Sequence, residues 1–319
     1  MLSRVANNIY WTARYIERAE NTARIINVNT HLLLDLPKNK TFGWQPLIFI
    51  MGSDALFYKQ YQEPNEHNVI QFLLADTKNS SSILSSLGQA RENLRTTRDI
   101  MAVEAWEQLN DLYLFVKNKV NSAKVKQNRY DFLKQIILSS QQLNGIITGT
   151  MSRNAAYNFL RMGSYLERAD MTTRILDVRS ANLLSTDEES NINLTPFYNI
   201  QWMSVLKSLT AYQMYRQHMR LRVKGADVLK FILQDTSFPR SIFYCLRAVE
   251  NRLTCLSTQS DMALRSLARL QRQLQAADVY KLAHEGLREF IDDLQIGLGT
   301  VHDNITASYF AMDRGTNAA

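Results

Sequence analysis

Residues 8–28, NIYWTARYIERAENTARIINV, are written a second time 150 positions later, as NFLRMGSYLERADMTTRILDV at residues 158–178. From Tyr15/Tyr165 to Val28/Val178, 8 of 14 aligned pairs are identical. Four more are close exchanges: Ile16/Leu166, Glu20/Asp170, Ile26/Leu176 and Asn27/Asp177. Each copy holds a Glu-Arg-Ala-acid core with an arginine four residues after its last acid. A repeat at a fixed offset bears on the whole architecture, so it is read before any local pattern.

In the first copy Ile9, Ala13, Ile16, Ala19, Ala23, Ile26 and Leu33 recur at spacings of three, four and seven. That period predicts one long helix over about residues 2–35, closed by Pro37. Further on, the sequence predicts helices over 44–62, 80–103, 104–119 and 130–147, with serines at the start of the second to cap it. Residues 69–74 read as a short apolar segment and the polar stretch 121–128 as a loop. Gly149 is the only breaker before the second copy, so the closing helix of the first copy is expected to run into the opening helix of the second.

The second half follows the same plan. Trp202 answers Trp44, Tyr215 answers Tyr58, Ser241-Ile242 answers Ser82-Ile83, and Glu250-Asn251 stands in the place of Glu92-Asn93. Val228, Phe231, Leu233, Asp235 and Thr236 answer Val69, Phe72, Leu74, Asp76 and Thr77. The offset grows to about 158, and the eight added residues fall in the polar loop 185–196, where surface chain tolerates insertion. The expected fold is all-α: an internally duplicated bundle of long helices with pseudo-twofold symmetry. Residues 1–150 form the first repeat and 151–319 the second, packed as one intertwined unit.

Composition agrees with that class. The 319 residues include 45% hydrophobic side chains, ample for a sizeable core, with only 11 Gly and 5 Pro to interrupt helices. A formal charge of +7 favours anionic partners and says nothing of fold. No apolar leader opens the chain, and no run approaches the roughly 18 apolar residues of a membrane span. Cys245 and Cys255 lie in an apolar helical pattern and are expected as buried thiols; a cytoplasmic protein is the expectation. Trp11, Trp44, Trp106 and Trp202 are expected in the core.

On the first helix Tyr10, Arg14, Glu17, Asn21 and Arg24 fall on one stripe; in the second copy the stripe is Leu160, Ser164, Glu167, Met171 and Arg174. Glu20 and Arg24, like Asp170 and Arg174, stand four apart with the acid first, the better order for a helical ion pair. Arg18 and Arg168 project from an adjoining face. One reading is a structural network in which Glu17, Arg24, Glu167 and Arg174 pair with one another across the repeat. A second is a ligand site: Glu17, Arg18, Glu20, Arg24, Glu167, Arg168, Asp170 and Arg174 would grip carboxylate or phosphate groups through planar guanidinium forks. A third has the acids hold a divalent cation.

Elsewhere the five histidines are scattered, with no metal-binding spacing, no glycine-rich phosphate loop and no nucleophile elbow. No cofactor is expected. Arg216, Arg220, Arg222 and Lys224 form a secondary basic patch, read as a solvated helix face or a contact for an anionic partner. No nucleic-acid fold is marked by motif.

The opening MLSRVANNIYWTARYIERAENTAR resembles the bacterial alpha-E domain family, an all-helical family named for its Glu-Arg motif. The resemblance runs through essentially the whole chain and carries over to Glu17, Arg18 and Glu20 in one copy and Glu167, Arg168 and Asp170 in the other. The chain departs from the pattern at Asn79-Ser80-Ser81-Ser82, where a proline is expected in the turn; the second copy has Pro239 there. The resemblance implies a companion of ATP-grasp peptide ligases, often beside a transglutaminase-like cysteine peptidase, in peptide synthesis or modification. It supplies no established activity, and the residues supply no catalytic set. Two expectations follow. One is a non-catalytic partner or substrate-binding subunit of such a ligase, gripping an anionic peptide or small molecule. The alternative is an enzyme using Glu17 and Glu167 for acid/base or metal-assisted chemistry.

Overall fold

The computed structural model describes residues 1–35, 43–184, 195–219, 223–256 and 260–311. Among them every regular element is helical. The order is α1 (Ser3–Asp35), α2 (Gln45–Ile50), α3 (Asp54–Gln60), α4 (Glu66–Leu74), α5 (Ile83–Arg95), a 3-10 turn (Arg98–Ile100), α6 (Val103–Ala123) and α7 (Lys126–Thr150). There follow α8 (Ala155–Leu184), α9 (Thr195–Ser208), α10 (Tyr212–Met219), α11 (Gly225–Gln234), α12 (Ile242–Thr254), α13 (Asp261–Ala276), α14 (Val279–Leu282) and α15 (Leu287–Tyr309). No described helix is long and apolar enough to cross a membrane.

The two motif helices lie against each other at the centre. α1 packs on α8 and also touches α5, α7, α9 and α15, while α8 also receives α2, α12 and α15. Ile9, Ala13, Ile16, Ala19, Ala23 and Ile26 are all buried, as the period requires, and join one continuous apolar core. Small residues let the two long helices approach closely. A Cβ on Gly163 would overlap the backbone oxygen of Tyr10 and stand 3.1 Å from its carbonyl carbon.

Several boundaries differ from the sequence reading, each for a local reason. The stretch 44–62 is broken into α2 and α3 by Gly52, whose φ of 60° is left-handed. Helix α5 starts at Ile83 because Ser82 is extended and caps it, accepting a hydrogen bond from the Ser85 amide at 3.2 Å. It stops at Arg95, and the Thr97 hydroxyl turns back to donate to the Asn93 carbonyl at 3.1 Å. The polar stretch 121–128 is largely helical, its polarity reflecting solvent exposure on the outer ends of α6 and α7. Helices α7 and α8 are not continuous. Met151 is extended, Arg153 donates back to the Thr148 carbonyl at 2.7 Å, and Asn154 accepts from the Tyr157 amide at 3.2 Å to open α8.

Counted from the caps Ser82 and Ser241, the shared buried positions of α5 and α12 coincide: Ile83 with Ile242, Leu87 with Leu246, Ala90 with Val249, Leu94 with Leu253. That register sets Glu92 level with Asn251, not with Glu250 as the sequence comparison had it. Trp44 and Trp202 are buried, but Trp11 and Trp106 only flank the core. Cys245 is buried as expected; Cys255, one residue past α12, is exposed. Most of the loop 185–196 lies outside the described residues.

Candidate functional site

The Glu-Arg motifs meet at the α1–α8 contact and are cross-wired. Arg168 donates to both oxygens of Glu17, Nε to Oε1 at 2.9 Å and Nη2 to Oε2 at 2.8 Å. Arg18 does the same to Glu167, Nε to Oε1 at 2.6 Å and Nη2 to Oε2 at 3.0 Å. Both carboxylates are 1% exposed. Arg18 and Arg168 thus make the reciprocal two-point bridges between the helices. Arg24 and Arg174 instead pair within their own helices, with Glu20 at 2.6 Å and Asp170 at 2.9 Å. A straight stripe on an isolated helix mispredicts this, because the crossing geometry of two helices selects which flank faces the neighbour.

Each bridging carboxylate also takes a second arginine. For Glu167 it is Arg14, on the same helix as Arg18, with Nε 2.7 Å from Oε2. For Glu17 it is Arg240, in the turn before α12, with Nη1 3.1 Å from Oε1. Arg240 reaches further, to the Asn21 side-chain oxygen Oδ1 at 2.9 Å and Glu20 Oε1 at 3.0 Å. The motif counterpart of Arg14 is Ser164, whose hydroxyl donates to Glu17 at 3.2 Å. The turn counterpart of Arg240, counted from the caps, is Ser81. One copy therefore keeps its second arginine on the helix and the other in a turn, while each acid retains two.

Arg240 is the member that the sequence reading missed. Its signal was the departure at Ser80-Ser81, which faces Pro239-Arg240 in the second copy. The turn is built for the task. Asp235 accepts from the Ser237 and Phe238 amides at 2.8 and 2.6 Å, and Ser241 donates to the Asp235 carbonyl. The Pro239 and Arg240 carbonyls accept from Arg168 and Thr172 of α8 at 3.2 and 3.3 Å, seating the turn on that helix.

The electrostatics follow from burial against pairing. Burial alone would raise Glu17, but Arg168 and Arg240 outweigh it and hold the carboxyl at about 2. Glu167 is held at about 2 in the same way by Arg18 and Arg14. Arg240 is pushed down, first by burial and then by Arg168 and Arg24, despite its acids. Among the described residues the ion pairs of the two motifs and the Arg240 turn set six arginines (Arg14, Arg18, Arg24, Arg168, Arg174, Arg240) against four acids (Glu17, Glu20, Glu167, Asp170). Arg174 stands at its accessible edge, 32% exposed, with Nη1 packed 2.6 Å from where a Cβ on Gly52 would sit.

A polar thread leaves the cluster through Tyr10. Arg14 Nη1 donates to the Tyr10 hydroxyl at 3.5 Å, and that hydroxyl lies 3.0 Å from His302 Nδ1 on α15, with the rings stacked. Burial and then Arg14 lower His302 to about 4, so its ring is neutral at pH 7 and its tautomer sets which partner donates in the bond to Tyr10. Among the described residues no group of three or more His, Cys, Asp or Glu side chains is placed to hold a metal. Of the basic patch, Arg216 on α10 and Lys224 before α11 are exposed, with Arg216 over the Tyr212 ring; Arg220 and Arg222 lie outside the described residues.

Comparison with known proteins places the chain. Residues 1–310 match the Alpha-E family, described as a predicted alpha-helical domain with a conserved ER motif, and the chain belongs to that family. Two curated relatives, the uncharacterized proteins Mb2597 of Mycobacterium bovis and MT2643 of Mycobacterium tuberculosis, are each 20% identical over 339 aligned positions. The match covers 98% of this chain and 37% of either relative, so the chain spans little more than a third of their length. No solved structure matches.

Proposed function

We propose that this Alpha-E chain is a non-catalytic partner or substrate-binding subunit of an ATP-grasp type peptide ligase system. The buried part of the Glu-Arg lattice braces the scaffold, and its accessible edge at Arg174 meets an anionic peptide or small molecule. The observation that carries this reading is the surplus of arginine over carboxylate in the cluster, with a partly exposed guanidinium at its rim. Planar guanidinium groups suit carboxylate recognition. The mycobacterial relatives lend support, since their matched region sits within much longer chains and so works beside other polypeptide.

The alternative is an enzyme in its own right, and it needs a carboxyl group that exchanges protons or binds a cation. Glu17 and Glu167 are ionised, enclosed and each occupied by two arginines, which disfavours that role. Purification of the tagged chain from its native cells tests the proposal. An ATP-grasp ligase recovered in near-equal amount is expected, with a transglutaminase-like peptidase as a further companion. Peptide binding by that complex should weaken in Arg174→Ala. A preparation free of ligase, or turnover by the isolated chain that Glu17→Gln abolishes, would overturn it.

A further inference from the structure

Helices α6 and α13 present outward stripes of opposite charge and matching interval. On α13 the exposed Met262, Arg265, Arg269 and Arg272 follow at steps of three, four and three. On α6, read backwards, the exposed Leu114, Asp111, Glu107 and Glu104 follow at the same steps. The buried sides fix these orientations: Ala263, Leu267, Leu270 and Leu274 face inward on α13, and Ala105, Leu109, Leu112 and Val116 on α6. Arg265 and Arg269 also wall a groove of about 700 Å³ between α13 and α15, which Leu270, Gly297 and Ile296 line with apolar surface. Met262 and Ile296, 62% and 69% exposed, leave that apolar surface open to solvent.

We propose that a second copy of this chain lays its α6 antiparallel across α13. The alignment sets Leu114 against Met262, Asp111 against Arg265, Glu107 against Arg269 and Glu104 against Arg272. A parallel alignment would instead oppose Glu104 to Met262 and Leu114 to Arg272, losing both the apolar pair and one ion pair. The two faces differ, so the contact is heterologous: each copy offers α13 to one neighbour and α6 to another, in a head-to-tail series. Exposed ion pairs contribute little each, so the association is weak and reversible. The net charge of +7 on every copy repels at low salt, while high salt screens the pairs themselves. Charge reversal is therefore a better probe than salt.

Sedimentation of the full chain over a concentration series is the test. The wild type should rise above monomer mass with concentration. Arg265→Glu/Arg269→Glu/Arg272→Glu should stay monomeric, as should Glu104→Arg/Glu107→Arg/Asp111→Arg, each with an unchanged helical spectrum. Mixing the two variants should restore association at least tenfold over either alone, because each then meets an opposite stripe. A wild type that stays monomeric throughout, association that survives either triple substitution, or a mixture that fails to recover would each overturn the proposal.

Discussion

Arg168 of α8 closes a two-point fork on Glu17 of α1, its nitrogens 2.9 and 2.8 Å from the two carboxylate oxygens. Arg18 returns the same fork to Glu167, so each copy of the motif supplies the acid for the other's arginine. Because these acids are buried, what matters energetically is less the gain from pairing than the penalty of removing one partner.

Arg168→Met should therefore destabilise the protein by about 3–5 kcal/mol, since it strips a buried carboxylate of its fork. Arg240→Ala should cost about 2 kcal/mol, because Glu17 keeps Arg168 and Glu20 keeps Arg24. Urea unfolding midpoints read the difference; equal losses in the two variants would contradict this ranking.

Acid should unfold the protein in two stages. His302 binds its proton less readily in the fold, at about 4 against 6.5. The unfolded chain thus takes up more protons, and stability present above 6.5 is lost as pH falls toward 4. Glu17 and Glu167, lowered to about 2 from 4.5, add a second loss as pH falls from 4.5 toward 2. In His302→Gln the first stage should flatten while the second persists, which unfolding free energies measured against pH will show.

Gly163→Ala should destabilise by about 3 kcal/mol, the upper end for overpacking, because the new methyl group meets the backbone oxygen of Tyr10 and not a side chain that can turn away. Gly149→Ala, with nothing near its Cβ position, should be neutral or slightly stabilising. Thermal midpoints of the pair separate packing from helix propensity.

A maleimide should label one thiol per native chain and two after denaturation. Cys255 is exposed, whereas Cys245 is enclosed and burial pushes its thiol up to about 12. Peptide mass analysis should find native label on Cys255 alone.

Much of this architecture could be read in the sequence, and the failures have identifiable causes. Helices α1 and α8 were legible because their apolar and small residues keep the helical period over many turns. The break at Gly52 was not, since a single left-handed residue leaves the period on either side intact. At 121–128, asparagine and lysine signal a loop but also clothe the outer ends of exposed helices. The acids of the site stood out through repetition. Arg240 lies where the copies diverge, opposite Ser81, so repetition did not mark it.

The separation between partners has a further meaning for biosynthesis. Glu17 leaves the ribosome with its first helix, but Arg168 follows 151 residues later and Arg240 223 residues later. At about 5–20 residues per second, that acid waits on the order of 10–40 s for its last cation. Throughout the interval the nascent N-terminal half carries an ionised side chain that it cannot yet enclose. Its docking surface must stay hydrated, or sheltered by a chaperone, until the turn that carries Arg240 has been made.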